Sequence, residues 1–204
     1  CFGAKIVVIM KPSLPLKFFD LCVIPKHDDV KSDSNIFITN TPLVNFNLNK
    51  KKKENMALFL IGGPSKHYYW DSKRVLEQIK NISKQFKFKK LLITTSRRTP
   101  IEFINEFNKS KIKNIKLYEH TKIMNDWLDK NIIKVKNIWV TNDSYSMLIE
   151  AIASGAYTDI LELKMKKKSK LSGEINTIKK KIRNKITIQN EAERVAKFIQ
   201  KIWL

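Results

Sequence analysis

Three short strings in this 204-residue chain collect side chains that can grip an anion. The densest is Thr94-Thr95-Ser96-Arg97-Arg98-Thr99-Pro100. Guanidinium forks match phosphate oxygens, and the start of a helix carries partial positive charge. The spacing predicts Thr99 as an N-cap, Pro100 as the first helical residue and Glu102 as the closing member of a capping box. Hydroxyl, two guanidiniums and a helix start together suit a diphosphate; two solvated arginines on a turn are the plainer reading. The second string is Gly62-Gly63-Pro64-Ser65, just after an apolar run. Glycines let a ligand come close and leave N–H groups to hold phosphate oxygens, although a bare turn would look the same. The third runs from Thr141 through Asn142, Asp143, Ser144 and Tyr145 to Ser146, with Glu150 further on. Thr141 to Ser144 read as a helix cap. A carboxylate at Glu150 could accept both hydroxyls of a ribose, against the default of an exposed helical glutamate.

His27-Asp28 is the other pair of interest. A histidine titrates near neutral pH and can take a proton from an acceptor hydroxyl. Placed after a strand, it is expected to face a cleft between two halves, unless the segment is only a turn after Pro25. His67 and His120 have no such context and read as surface residues. Two cysteines, Cys1 and Cys22, and no His/Cys cluster argue against a structural zinc site or a disulfide scaffold. Cys22, inside the apolar run 21–24, reads as a buried core thiol. No Asp-x-Asp string offers itself to a metal.

The elements that would position these residues alternate in period. Segments 4–10, 20–24 and 36–39 are short, apolar and β-branched, and read as strands of one sheet. Segment 45–55, with four consecutive lysines, reads as a linker. A new series follows, with strands at 57–61, 90–95, 115–117, 137–141 and 158–163. Helices are predicted between them at 72–86, 100–108, 121–130 and 144–154. That alternation implies βαβ units and a mainly parallel sheet, whose carboxyl edge is where ligands bind. Lys-rich 164–186 reads as an exposed insertion. Segment 187–204 reads as an amphipathic helix capped at Asn190, with Val195, Phe198, Ile199 and Ile202 on its apolar stripe. The expected domains are therefore 1–50, 56–165 and a terminal helix. The opening Cys1-Phe2-Gly3 has no initiator Met and runs at once into a strand, which reads as a cut within a longer protein.

Forty Lys and Arg against 19 Asp and Glu give a net charge of +21. An anionic partner would explain it, whether lipid or a phosphorylated ligand. So would codon bias, because Lys, Asn and Ile are abundant together. No aromatic and basic platform points to nucleic acid. No stretch approaches the 18 apolar residues of a membrane span. A cytoplasmic protein, peripheral at the inner face of a membrane, is the expected setting.

Taken together, the three strings resemble those of the mitochondrial-fission, elongated-mitochondria-type family. Phe19-Asp20, Ile24-Pro25-Lys26-His27-Asp28, Asn35 and Thr39 are similar to its earlier segment. The resemblance covers about residues 14–160. Ser-Arg-Arg-Thr-Pro and Asp-Ser-x-Ser-Met are its specific strings. Where the family has a Gly-x-Pro-Val-like turn, this chain has Gly155-Ala156-Tyr157-Thr158. The resemblance implies a GT-B-like α/β fold with a truncated N-terminal Rossmann-like half. It also implies metal-independent glycosyl transfer from a nucleotide-sugar, the substrate, to a cell-envelope acceptor, with no cofactor. The donor-binding residues would be Gly62, Gly63, Ser65, Ser96, Arg97, Arg98, Thr141, Asp143, Ser144, Ser146 and Glu150. The catalytic pair would be His27 and Asp28. The alternative is a non-catalytic interaction protein on a membrane surface.

Overall fold

A computed structural model of the chain describes residues 3–44, 54–110, 112, 114–124, 126–183 and 189–203. They fall into two compact units, one of residues 1–46 with 188–204 and one of residues 47–187.

The smaller unit holds strands β1 (Val7–Ile9), β2 (Leu21–Pro25) and β3 (Ile36–Thr39), parallel and in that order. All five residues of β2 are buried, as the middle strand of a parallel sheet should be. Cys22 lies among them as a free thiol, its pKa raised by burial.

The larger unit alternates strictly. It runs β4 (Glu54–Ile61), α1 (Ser72–Gln85), β5 (Lys90–Thr95), α2 (Ile101–Lys109), β6 (Ile115–Tyr118) and α3 (Trp127–Ile132). It continues with β7 (Val135–Thr141), α4 (Tyr145–Ala153), β8 (Tyr157–Leu161) and α5 (Lys170–Arg183). The sheet is parallel throughout, in the order β6-β5-β4-β7-β8. Strands step outward from β4 to β6, then resume on the other side with β7 and β8. This is the Rossmann-like sheet that the alternation predicts. The order reverses between β4 and β7, and loops at such a reversal flank a crevice at the carboxyl edge. β4 is the central strand, and Met56 to Ile61 are all buried. α1 starts where the Asp71 side chain accepts the Arg74 N–H at 3.0 Å, and it buries Val75, Leu76 and Ile79.

Two expectations are corrected. Residues 170–183 form a helix instead of an exposed insertion. Leu171, Ile175, Ile178 and Ile182 recur at helical spacing, and Ile175 and Ile178 are buried. The surrounding lysines mask that stripe in the sequence. The helix expected at 121–130 begins only at Trp127. Most of the expected linker, 45–53, lies outside the described residues, and its last two residues, Glu54 and Asn55, open β4. Residues 184–186 of the expected insertion also lie outside them.

The terminal helix α6 (Glu191–Trp203) belongs to the smaller unit. Its Val195 joins Leu21 and Val23 in the core, with Phe37, Phe198, Ile199 and Trp203 packed around them. Asn190 caps it as predicted, accepting the Glu193 N–H at 3.2 Å. A buried clasp fixes it. Glu191, 1% exposed, accepts the Asn40 side-chain amide at 3.0 Å and pairs with Arg194 at 2.8 Å. Arg194 also donates to the Ile38 carbonyl at 2.6 Å and lies over the Phe37 ring. Removing Glu191 leaves the Asn40 amide and Arg194 without their shared acceptor, but Arg194 is 32% exposed and keeps the Ile38 carbonyl. Glu191→Ala is therefore expected to cost the smaller unit about 1–3 kcal/mol. Hydrogen exchange at the β2 and β3 amides reads that loss, and exchange equal to wild type would refute it.

Candidate functional site

Loops after β4, β5 and β7 meet at the carboxyl edge of the larger sheet, and their meeting point is a buried polar joint. The Gly62 N–H donates to Thr141 Oγ1 at 2.8 Å, and the Gly63 N–H donates to Asp143 Oδ2 at 3.1 Å. Arg98 pairs with the same Asp143 oxygen at 2.7 Å and reaches the Pro64 carbonyl at 3.3 Å. The Asp143 side chain is fully buried, whereas that of Arg98 is 44% exposed. Thr99 completes the joint. Its hydroxyl lies 2.9 Å from the Ile61 carbonyl and 2.7 Å from that of Gly62, and it accepts the Ser96 N–H at 2.8 Å.

Both glycines are there for closeness. A Cβ on Gly62 would run into the Asp143 carboxylate, and one on Gly63 into the Arg98 carbonyl oxygen. Burial first, then the negative charge of Asp143, push the Tyr68 phenol up. The Ser65 hydroxyl serves its own loop, accepting the N–H groups of His67 and Tyr68 at 3.3 and 3.1 Å.

Several readings of the strings change accordingly. The Gly62 and Gly63 N–H groups, offered above to phosphate, are taken up inside the protein. Pro100, not Thr99, is the N-cap of α2, with no side-chain capping bond, because the Thr99 hydroxyl is spent on the β4 loop. The helix still starts directly after Ser96-Arg97-Arg98, with Glu102 in its first turn. The two arginines have different fates. Arg98 is tied into the joint. Arg97 is exposed and forms no ion pair among the described residues.

Arg97 and Ser96 line a cavity of about 290 Å³ beside the joint. Thr94 and Thr95 at the end of β5 form its polar side, and Leu60 of β4 lies at its base. The far wall is His120, Ile123 and Met124 after β6, with Leu128 of α3 and Met147 of α4. His120 is held in place by Thr95, whose hydroxyl accepts the His120 N–H at 2.9 Å and lies 3.3 Å from Nδ1. Apolar side chains together with hydroxyls, an imidazole and an arginine that forms no ion pair among the described residues suit a ligand that combines a flat ring with an anion.

His120, expected as a surface residue, is instead half-buried in the lining of this cavity. It stands two residues past the end of β6, as His27 stands two past the end of β2. The rule that singles out His27 applies equally there.

Ser144 is the N-cap of α4, without a side-chain capping bond, and Ser146 is exposed in its first turn, next to Met147. Glu150, on α4, is half-buried. Burial, and then the charge of Asp129, raise its pKa. His27 and Asp28 lie in the smaller unit, in a 3-10 turn directly after β2, with His27 Nε2 3.7 Å from Asp28 Oδ1. Among the described residues no group of three His, Cys, Asp or Glu is placed to hold a metal ion, and no helix is long and apolar enough to cross a membrane.

Two predictions follow from the geometry. Arg98→Ala leaves Asp143 buried and uncompensated, with a cost of roughly 2–3 kcal/mol, less than for a fully buried pair because half of Arg98 is in water. Arg97→Ala should leave stability within about 0.5 kcal/mol of wild type. Urea denaturation of both variants checks the contrast, and equal losses would contradict it. Glu150 binds its proton more tightly folded than unfolded. Its contribution favours folding at acid pH and is lost as pH climbs from the ordinary glutamate range through the raised value. Glu150→Gln should therefore gain stability over wild type toward neutral pH and lose that advantage near pH 4. A difference that stays flat across the same range would show that Glu150 is not perturbed.

The sequence profile of one protein family, described as Mitochondrial fission ELM1, matches residues 2–201, which spans both units. No individual curated protein matches the chain.

Proposed function

The chain belongs to the mitochondrial fission ELM1 family, and from that premise we propose that it is a GT-B-type glycosyltransferase acting from a nucleotide-sugar. The observation that carries this reading is the slot at the carboxyl edge of the larger sheet, with the unpaired Arg97 on its rim. The base and ribose of the donor fit the apolar end, between Met147 and the segment after β6. The diphosphate lies toward Ser96, Arg97 and the open first turn of α4 at Ser144 and Ser146. Gly62, Gly63, Arg98, Thr141 and Asp143 set the positions of those groups from behind. Ser65 shapes the loop beside them, and Glu150 is the candidate partner of the ribose.

The reaction breaks the bond between the sugar C1 and the diphosphate oxygen and forms one between C1 and an acceptor hydroxyl. The nucleoside diphosphate leaves with the electron pair of the broken bond. Negative charge grows on its oxygen in the transition state, where the Arg97 guanidinium stabilises it more than in the ground state. The acceptor proton needs a base. His27, with the Asp28 carboxylate beside it, is our candidate, and a cell-envelope hydroxyl our candidate acceptor.

Titration calorimetry with UDP-, GDP- and ADP-linked sugars tests the reading. One of the three should bind, and Arg97→Ala should weaken it about tenfold or more, the loss of one charge-assisted contact. Binding by none of them, or an unchanged affinity in the Arg97→Ala variant, would remove its support.

A further inference from the structure

Away from this slot, the larger unit carries a compact basic surface. We propose that this surface docks the protein on an anionic lipid bilayer. Residues 65–69, after β4, pair with residues 164–166, after β8. The Tyr69 N–H donates to the Lys164 carbonyl at 2.8 Å, and the Lys166 N–H to the His67 carbonyl at 2.8 Å. Tyr68 and Met165 form an antiparallel bridge between them. This pairing gathers residues almost a hundred positions apart into one patch. Lys66, Lys164, Lys166, Lys167 and Lys168 are all exposed there, and none forms an ion pair among the described residues. Neither 62–70 nor 163–170 contains an acidic residue. The two carboxylates that flank the patch are engaged: Asp71 caps α1, and Glu162 pairs with Lys179. So the positive charge here is not neutralised locally, unlike at α2 or α3, where Lys109 and Lys130 face Glu106 and Asp126.

At the centre stands Tyr69, 53% exposed, with the ammonium groups of Lys166 and Lys164 5.3 and 6.0 Å from its ring centroid. A tyrosine ringed by lysines matches the headgroup layer, where the ring meets the acyl boundary and the lysines meet phosphates. Three features favour a bilayer over other polyanions. Among the described residues Tyr69 is the single exposed aromatic of the patch, so a run of nucleobases has no platform to stack on. The patch offers one aromatic and no apolar core, which a protein partner would need. Its lysines are point charges without a guanidinium fork, which suits a diffuse layer of phosphates better than a fixed one. The proposal stands independently of sugar transfer, because none of these residues lines the slot.

Co-sedimentation of the full chain with phosphatidylserine-containing vesicles, against pure phosphatidylcholine, tests it. The wild type should pellet with the anionic vesicles at low salt and be released at high salt. Replacing Lys164, Lys166, Lys167 and Lys168 by Gln should weaken binding roughly a thousandfold, given the usual gain per lysine at such a surface. A control replaces the exposed Lys84, Lys87, Lys89 and Lys90 by Gln, removing the same charge elsewhere, and should bind nearly as the wild type does. Unfolding midpoints close to wild type establish that both variants are folded. The proposal is overturned by three results: no sedimentation, equal losses in both variants, or a single-stranded oligonucleotide bound more tightly than the vesicles through the same four lysines.

Discussion

The Asp143 carboxylate is cut off from water, and the larger unit is organised around the groups that make that tolerable. A buried carboxylate is costly unless charge and hydrogen bonds replace its hydration. Here the Arg98 guanidinium and the Gly63 N–H supply charge and a hydrogen bond to one oxygen, Oδ2, from two loops that leave two other strands, while Oδ1 has no hydrogen-bond partner among the described residues. Because each partner comes from a different loop, satisfying one side chain fixes three loop positions at once. The glycines are part of the same constraint, since only a residue without Cβ lets the β4 loop close on Asp143 and on the Arg98 carbonyl.

That joint decides what is left for a ligand. The N–H groups of the glycine pair and one of two adjacent arginines are consumed in holding the edge together. The free donors lie one strand over, where Ser96 and Arg97 border the slot between β5, β6 and α4. A rigid, ion-paired joint beside a rim that carries an unpaired arginine is how a site is kept at fixed geometry without spending its own binding groups. Arg97 can stay exposed because Arg98, next to it in sequence, anchors the backbone of both.

The smaller unit solves a similar problem with a different element. Three parallel strands bury little on their own, and the chain's last helix supplies the missing cover. Its register depends on Glu191, which has no exposure to spare and is held by Asn40 and Arg194. Residues from opposite ends of the chain thus share one core, which separates sequence order from spatial order in this protein.

The alternation of strands and helices was legible in the residues themselves. A parallel sheet covered on both faces requires long apolar runs, and β3 and β5 start and end where those runs do. The Asn190 cap and the apolar stripe of α6 were legible for the same reason: local period and local hydrogen bonding carry them. α5 was hidden because its stripe is sparse among lysines, and burial, not composition, makes it a helix. The candidate site was legible only as far as its strings. Which arginine is free, which hydroxyl caps and which is spent, and that His120 belongs with Ser96 and Arg97, depend on contacts between loops far apart in sequence. Residue types and spacing determined that polar groups collect at one sheet edge. Only the tertiary structure decided which of them are already paired, because a hydrogen bond uses up a donor and sequence does not record with whom.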